Sequence, residues 1–265
     1  MPNTRVAIHG AAGRMGQRLI ALGHADKNLD LCAALEHSGH PQFGKDAGLI
    51  AGIGEIGLPL TDTPSNGADA LIDFSVPEAT DAVIDLCVSE KIALVMATTG
   101  LRESQQEKLC EAANSIAVVW APNMSLAVNL TMKLATIAAD ALKDYASGVD
   151  VEIIERHHRF TEDSPSGTAL KFGELIAGVM GQTQFAHGRE GRPGARPQHE
   201  IGYHAVRAGD NPGEHTILFG MLGETIELRV GATNRDCYAL GALAAARFAA
   251  TKSPGMYNMY DVLGL

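Results

Sequence analysis

A glycine-rich turn between an apolar strand and a helix constrains the fold of this chain more than any other feature. The strand-like run Thr4–His9 leads into Gly10-Ala11-Ala12-Gly13-Arg14-Met15-Gly16, and a helical pattern follows over Met15–Leu22. Glycines at this spacing permit a tight strand-to-helix turn and a close approach of the backbone to a pyrophosphate. Because Ala12 stands where the strict dinucleotide fingerprint has glycine, a glycine turn in another type of α/β protein is the alternative interpretation.

A carboxylate follows the next predicted strand. That strand covers Leu29–Leu35 and ends in Glu36, about twenty residues after the last glycine, where dinucleotide-binding domains place the acidic residue that binds the adenosine ribose. The turn and the carboxylate together predict a dinucleotide cofactor.

Short apolar strands then alternate with helices. Residues 37–67 are rich in Gly, Ser and Pro and predict loops, and the elements predicted after them are Ala70–Phe74, a helix to about Ser89 that starts at a capping box of Ser75 and Glu78, Ile92–Ala97, Ser104–Ala113 and Ile116–Trp120. This alternation predicts a Rossmann-type, doubly wound parallel sheet. Ligands bind such sheets beyond the carboxyl ends of the strands, so we expect one rim to hold Gly10, Glu36, Ser75, Thr98 and Asn123.

The pattern changes after residue 125. Here the predicted elements are a helix Leu126–Leu142, a strand Val149–Ile154, a helix Thr168–Met180, a polar loop Gly181–Gln198, strands His199–Arg207, Glu214–Phe219 and Thr225–Val230, and a helix Asp236–Thr251. A cluster of strands with few helices predicts a second, α+β domain with a mixed or antiparallel sheet. We therefore predict one domain over 1–125 with 235–265 and another over 126–234.

Two adjacent histidines are the strongest candidates for chemistry. His157 and His158 follow the predicted strand Val149–Ile154, and Pro165-Ser166-Gly167-Thr168 then begins a helix. Imidazoles beside the backbone N–H groups of a helix start suit proton transfer to a negatively charged substrate. The alternative is a strand end followed by an ordinary capped helix.

Composition limits the partners. The net charge of −10 over 265 residues argues against nucleic acid or an anionic membrane as a partner, although a local basic pocket can still bind a small anion. No apolar run is long enough for a membrane span, and the N-terminus lacks a signal pattern. We therefore expect a cytoplasmic protein.

The cysteines and histidines lack the spacing of metal sites. Cys32, Cys87, Cys110 and Cys237 are scattered, and the ten histidines show no HExxH pattern. We predict no metal, and we predict that Cys32, Cys87 and Cys110 are buried thiols in a reducing compartment.

A set of motifs in one order resembles a known enzyme family. The motifs are Gly10-x-x-Gly13-Arg14-Met15-Gly16, Asp73-Phe74-Ser75-x-Pro77, Thr98-Thr99-Gly100, Ala121-Pro122-Asn123, Glu155-x-His157-His158-Arg159, Asp163-x-Pro165-Ser166-Gly167-Thr168-Ala169 and Gly213-Glu214-His215-Thr216. Together they resemble the 4-hydroxy-tetrahydrodipicolinate (dihydrodipicolinate) reductases of the diaminopimelate route to lysine. The resemblance implies a dinucleotide-binding domain completed by the C-terminal helix, a substrate-binding and oligomerisation domain, and homotetramers.

The resemblance also implies residue roles. NADH or NADPH would be bound by Gly10, Ala11, Ala12, Gly13, Arg14, Met15, Glu36, His37, Ala97, Thr98, Thr99, Ala121, Pro122, Asn123 and Met124. Hydride would pass to a conjugated cyclic imine that carries two carboxylates, and His157 would supply a proton. His158, Ser166, Gly167 and Thr168 would bind a substrate carboxylate.

The chain departs from the family pattern at several positions. Thr161 replaces a lysine, and Arg156 is the residue we expect to compensate in part for the lost charge. His37 replaces an arginine that serves the 2′-phosphate of NADPH, and Ala97, Val230 and Gly231 replace a glycine, a histidine and a basic residue.

Two alternatives remain open at this point. One is a reductase of another carboxylated cyclic imine, with Thr161 as the diverged position. The other is a non-catalytic nucleotide-binding regulator, against which the intact histidine pair and Ser166-Gly167-Thr168 argue.

Overall fold

The computed structural model describes residues 2–63 and 67–265, which form two compact units. Unit 1 comprises the described residues up to Leu126 together with Arg235–Leu265, and unit 2 comprises Ala127–Asn234. Residues 64–66 of the predicted loop segment lie outside the described residues. Among the described helices, none is long and apolar enough to cross a membrane.

The elements follow one another along the chain as strands and helices with short connections. In chain order they are β1 Thr4–His9, α1 Arg14–Ala25, β2 Leu29–Leu35, α2 Ala47–Ala51, β3 Leu60–Thr61, β4 Ala70–Asp73, a 3-10 turn Pro77–Ala79, α3 Thr80–Glu90, β5 Ala93–Met96, α4 Glu103–Ala112, β6 Ala117–Trp120, α5 Leu126–Leu142, β7 Asp150–His157, α6 Gly167–Met180, β8 Gln184–His187, β9 Glu200–Arg207, β10 Glu214–Met221, β11 Glu224–Gly231, α7 Asp236–Ala249, β12 Gly255–Tyr257 and α8 Met259–Leu263.

Unit 1 contains a parallel sheet with the strand order β12-β6-β5-β4-β1-β2-β3. The apolar strands β4 and β5 are buried along their whole length, because helices cover both faces of the sheet. Residues of α1 and α7 pack on one face, and residues of α3 and α4 pack on the other. The predicted doubly wound parallel sheet is confirmed.

Unit 2 contains a mixed sheet with the order β11-β10-β7-β9-β8. β7 pairs antiparallel with β10 and parallel with β9, which confirms the predicted second sheet. Side chains of β7 alternate across it, so that Val151, Ile153 and Glu155 are buried while Ile154 and Arg156 are exposed. This alternation directs Glu155 and His157 to the same, covered face.

Some local predictions were wrong. The predicted polar loop contains strand β8, and the predicted loops of 37–67 contain α2 and β3. No side chain of the described residues caps the turn at Pro77, because the Ser75 hydroxyl instead donates to the buried Asp73 carboxylate at 2.6 Å. Cys87 is buried as predicted, but Cys32 is only half-buried and Cys110, on the outer face of α4, is exposed.

Candidate functional site

The glycine turn of unit 1 forms an anion-binding helix start. Gly10 has a φ of +75°, and a Cβ on Gly16 would lie 2.2 Å from the Gly10 carbonyl oxygen. Only glycine therefore allows α1 to begin so close to β1. Gly13 is the N-cap of α1, and no side chain of the described residues caps the first turn, which leaves its N–H groups to a phosphate.

A cavity of about 590 Å³ opens beside this turn. Its lining includes most of the residues predicted for the cofactor, namely Gly13, Arg14, Met15, Ala97, Thr98, Thr99, Pro122, Asn123 and Met124, and also Phe74, Ser75, Arg235 and Tyr238. Ala11, Ala12 and Ala121 do not line it, because their side chains pack in the core. Hence these three can approach a cofactor only through their backbone.

A second cavity of unit 1, of about 300 Å³, contains Glu36 and His37. Its other lining residues are His9, Leu35, Asp62, Ala79, Ala82, Val83 and Leu86. Glu36 accepts hydrogen bonds from the N–H groups of Ala12 and His37, both at 3.2 Å, so its carboxylate is held close to the glycine turn. The lining of this cavity is mostly apolar, with Leu35, Ala79, Ala82, Val83 and Leu86, and Glu36 adds a carboxylate to it. A cavity of this kind suits a purine nucleoside.

In unit 2, Glu155 orients the predicted acid His157. The Glu155 carboxylate, 1% exposed, lies 2.5 Å from His157 Nδ1 and accepts two hydrogen bonds of 2.7 Å from Arg207. It also accepts from the Ser166 N–H at 3.1 Å. Burial by itself would raise the pKa of Glu155, but the bonds from Arg207, His157 and Ser166 outweigh it and hold this pKa below its ordinary value.

The other ring nitrogen of His157 faces a backbone made open by glycine. A Cβ on Gly213 would lie 2.8 Å from His157 Nε2, and the Gly213 φ of +152° disfavours other residues. Behind this ring lies His215, with ring centroids 5.2 Å apart. Burial, together with charge on His157, lowers the pKa of His215 to about 4, so His215 stays neutral and does not compete for the proton.

His158 and Thr161 contact one another. The Thr161 Oγ1 lies 3.0 Å from His158 Nδ1, and the Thr161 N–H donates to the His158 carbonyl at 3.0 Å. Thr161 therefore fixes the ring of His158, whereas a lysine at this position would contribute a charge. Arg156 pairs with Glu214 at 2.9 Å, and the alternation of β7 places it on the face opposite His157.

The start of α6 already holds a carboxylate. Ser166 is the N-cap and accepts from the Ala169 N–H at 3.3 Å, so both its hydroxyl and its N–H serve the fold. The Gly167 N–H donates to the Asp163 carboxylate at 3.2 Å. Of the predicted carboxylate-binding residues, Gly167 is exposed and Thr168 half-buried, so these two present the helix start to a ligand.

Sequence reasoning missed several polar groups of these sites. Glu155 lies two residues before His157, and a period of two would have placed both on one strand face. Arg207 pairs in register with His157 across β7 and β9, a long-range contact that no local pattern reveals. Among the described residues, no group of three or more His, Cys, Asp or Glu is placed to hold a metal.

Comparisons with known proteins identify the family of this chain. Family models described as the N-terminus and the C-terminus of dihydrodipicolinate reductase match residues 4–124 and 127–263. The chain is 58% identical to a 4-hydroxy-tetrahydrodipicolinate reductase of Rhodopirellula baltica over 98% of this chain and 96% of the relative. It is 50% identical to an enzyme of the same name from Alkalilimnicola ehrlichii over 99% of both.

Solved structures share the fold of this chain. A dipicolinate-bound dihydrodipicolinate reductase from Paenisporosarcina sp. TG-14 is 27% identical, with a TM-score of 0.77 over 98% of each chain. An amine dehydrogenase from Mycobacterium smegmatis, 12% identical with a TM-score of 0.64 over 97% of this chain and 95% of that one, shares the fold. The chain thus belongs to the dihydrodipicolinate reductase family of oxidoreductases.

Proposed function

We propose that this chain reduces 4-hydroxy-tetrahydrodipicolinate to tetrahydrodipicolinate with NAD(P)H, in the diaminopimelate route to lysine. The Glu155–His157 pair beside the start of α6 carries the proposal, because it combines a proton donor with a carboxylate-binding group. The reaction consumes one hydride and one proton and releases water, so the enzyme must provide a hydride donor, an acid and a dicarboxylate site.

Unit 1 supplies the cofactor site. The uncapped start of α1 would hold the pyrophosphate, and Glu36 would accept hydrogen bonds from the adenosine ribose. The 590 Å³ cavity, with Ala97–Thr99 and Ala121–Met124, would hold the nicotinamide end. When bound there, the cofactor supplies the hydride.

Unit 2 supplies the acid. With Nδ1 bonded to Glu155, the imidazolium of His157 donates its Nε2 proton to the substrate and returns to a neutral ring that Glu155 still holds. The Arg207 guanidinium keeps Glu155 ionised.

A substrate carboxylate binds next to this acid. His158, Gly167 and Thr168 would hold it through an imidazole and the N–H groups at the start of α6, where the helix dipole favours negative charge. Ser166 contributes by capping the helix and bonding Glu155. The bond between the Gly167 N–H and the Asp163 carboxylate supports this assignment, because it shows an N–H group of this helix start donating to a carboxylate.

The preferred nucleotide follows from the cavity around Glu36. Its described lining holds two carboxylates, Glu36 and Asp62, and no arginine or lysine. A 2′-phosphate would meet negative charge there, while a ribose diol would meet acceptors. We therefore propose that NADH binds at least as tightly as NADPH near neutral pH.

The central test separates the two histidines. His157→Gln should lower kcat by roughly 10²–10⁴-fold with little change in NADH affinity, whereas His158→Gln should act mainly on the KM of the dicarboxylate. The assay follows NADH oxidation with 4-hydroxy-tetrahydrodipicolinate and with a panel of other cyclic imines. An unchanged kcat in His157→Gln would show that His157 is not the proton donor. Turnover of another imine but not of 4-hydroxy-tetrahydrodipicolinate would favour the diverged reductase that Thr161 suggests.

The open face of the mixed sheet supports self-association, which we propose as a homotetramer. Ile154 and Val206 are 40% and 43% exposed on that face, where neighbouring strands bring them together. Ile154→Arg should reduce the mass measured by light scattering.

The cytoplasm is the compartment we propose, since none of the four cysteines forms a disulfide in the described chain.

A further inference from the structure

We propose that His9, fixed by the buried carboxylate of Asp73, is a specificity-determining residue for the adenosine half of the cofactor. The inference rests on the proposed function only in requiring a pyridine nucleotide. It concerns a residue that the glycine motif does not include and that lies at the end of β1.

Asp73 is a fully buried carboxylate that holds side chains from three strand ends. Its Oδ1 accepts from the Ser75 hydroxyl at 2.6 Å and lies 2.6 Å from His9 Nδ1, and its Oδ2 accepts from the Thr98 hydroxyl at 2.7 Å. Because the oxygens of this carboxylate accept from the Ser75 and Thr98 hydroxyls, we assign the donor role in the contact with Asp73 to His9 Nδ1. The orientation of the ring and one of its two nitrogens are thereby fixed.

Among the described residues, no hydrogen-bond partner is found for the other nitrogen of His9, Nε2. The His9 side chain is 19% exposed and lines the same 300 Å³ cavity as Glu36 and His37. On α3, Ala82, Val83 and Leu86 form an apolar wall of that cavity, which suits the flat face of a base. His9 thus adds a directional polar atom to a largely apolar pocket.

Purine chemistry matches this atom. The edge of adenine carries an exocyclic amine that donates and ring nitrogens that accept, so Nε2 has a partner whether it accepts or donates. Glu36 at the rim of the cavity would take the ribose of the same nucleoside. The ligand class is therefore an adenosine phosphate. The nicotinamide half of the cofactor would not contact His9.

A purely structural role for His9 has to be separated from this one, because Asp73 needs its donors in either case. His9→Asn places an amide N–H close to the position of Nδ1 and keeps the bond to Asp73, but it removes Nε2. His9→Gln places its amide near the position of Nε2 and loses the bond to Asp73. The exposed His24 in the last turn of α1 supplies the control His24→Asn.

Calorimetry on the full chain tests the proposal with ADP-ribose, reduced nicotinamide mononucleotide and NADH. His9→Asn should weaken ADP-ribose and NADH by about 3- to 10-fold, the range of one hydrogen bond, and leave the mononucleotide and the melting temperature unchanged. His9→Gln should bind ADP-ribose more tightly than His9→Asn and melt at a lower temperature. His24→Asn should match the wild type.

Three results would overturn the inference. The first is that His9→Asn binds ADP-ribose as tightly as the wild type does, and the second is that His9→Asn weakens binding of ADP-ribose and of the mononucleotide equally. The third is that the wild type binds neither ADP-ribose nor NADH. The last result would also defeat the proposed function. A wild type that binds both but reduces no imine would defeat the proposed function alone and leave the role of His9 to be decided by the variants.

Discussion

Glu155→Gln separates the charge of this side chain from its shape. The amide keeps one oxygen for Arg207, but it replaces the other oxygen with an NH₂ group. Arg207 has no acceptor, so the NH₂ group must turn to His157 Nδ1, which lies 2.5 Å from the carboxylate in the native protein. His157 Nδ1 then has to accept, and the imidazolium that delivers the proton loses its partner.

The size of the effect follows from the bond that is lost. A hydrogen bond to a charged group contributes about 1.5–3 kcal/mol, so loss of the Glu155–His157 bond should lower kcat by roughly 10- to 150-fold. NADH affinity should not change, because the cofactor site lies in unit 1.

Glu152→Gln is the matched control. Glu152 lies on the same strand and pairs with Arg189, Arg196 and His204, but its side chain is on the opposite face from His157. Burial would raise the pKa of Glu152, yet these partners lower it to about 2, so the control removes a comparably paired carboxylate. Equal kcat values in the two variants, with thermal melts showing both folded, would refute the positioning role of Glu155.

Three further predictions use simpler measurements. Burial lowers the pKa of His215 to about 4, so the unfolded chain binds the extra proton first and stability falls as pH drops from about 6.5 towards 4. Urea melts should show a loss of about 2 kcal/mol between pH 7.5 and pH 5, and His215→Gln should remove most of it. His37→Arg should tighten NADPH relative to NADH by about 10-fold or more in binding isotherms, and an unchanged ratio would place the 2′-phosphate elsewhere. Thr161→Lys should raise kcat/KM for the dicarboxylate by about one to two orders of magnitude, whereas background turnover that lysine does not rescue would exclude this substrate.

Local patterns predicted most of the fold of unit 1. Strand β2 and helix α5 begin and end where the sequence predicted, because apolar runs and helical periodicity report burial directly. Strand β8 was missed because Gln184–His187 has no alternation of apolar and polar residues and lies at the edge of its sheet. Its pairing with β9 comes from tertiary contacts that a local window does not contain.

The residues of the candidate sites likewise include some that local sequence predicted and others that it did not. The glycine turn and the histidine pair were found because their residue types are rare in combination and their neighbours are close in sequence. The partner of His157 was partly accessible, since Glu155 shares its strand face, whereas Arg207 lies 50 residues beyond His157 and reaches it only through strand register. The capping box at Ser75 was wrong for a local reason: the Ser75 hydroxyl donates to the Asp73 carboxylate two residues earlier, which also accepts from Thr98.

Thr161 changes how the substrate site obtains its affinity. A lysine would add a full charge, whereas Thr161 adds none and instead bonds His158 Nδ1 at 3.0 Å. The remaining attraction for a carboxylate comes from the dipole of α6, about half a charge at its start, and from directional N–H groups. One of these, on Gly167, has to release the Asp163 carboxylate before it can bind the substrate. The missing charge and the competing Asp163 carboxylate both weaken binding of the substrate and leave the Glu155–His157 pair untouched. The absence of the lysine should therefore appear in the KM of the dicarboxylate more than in kcat.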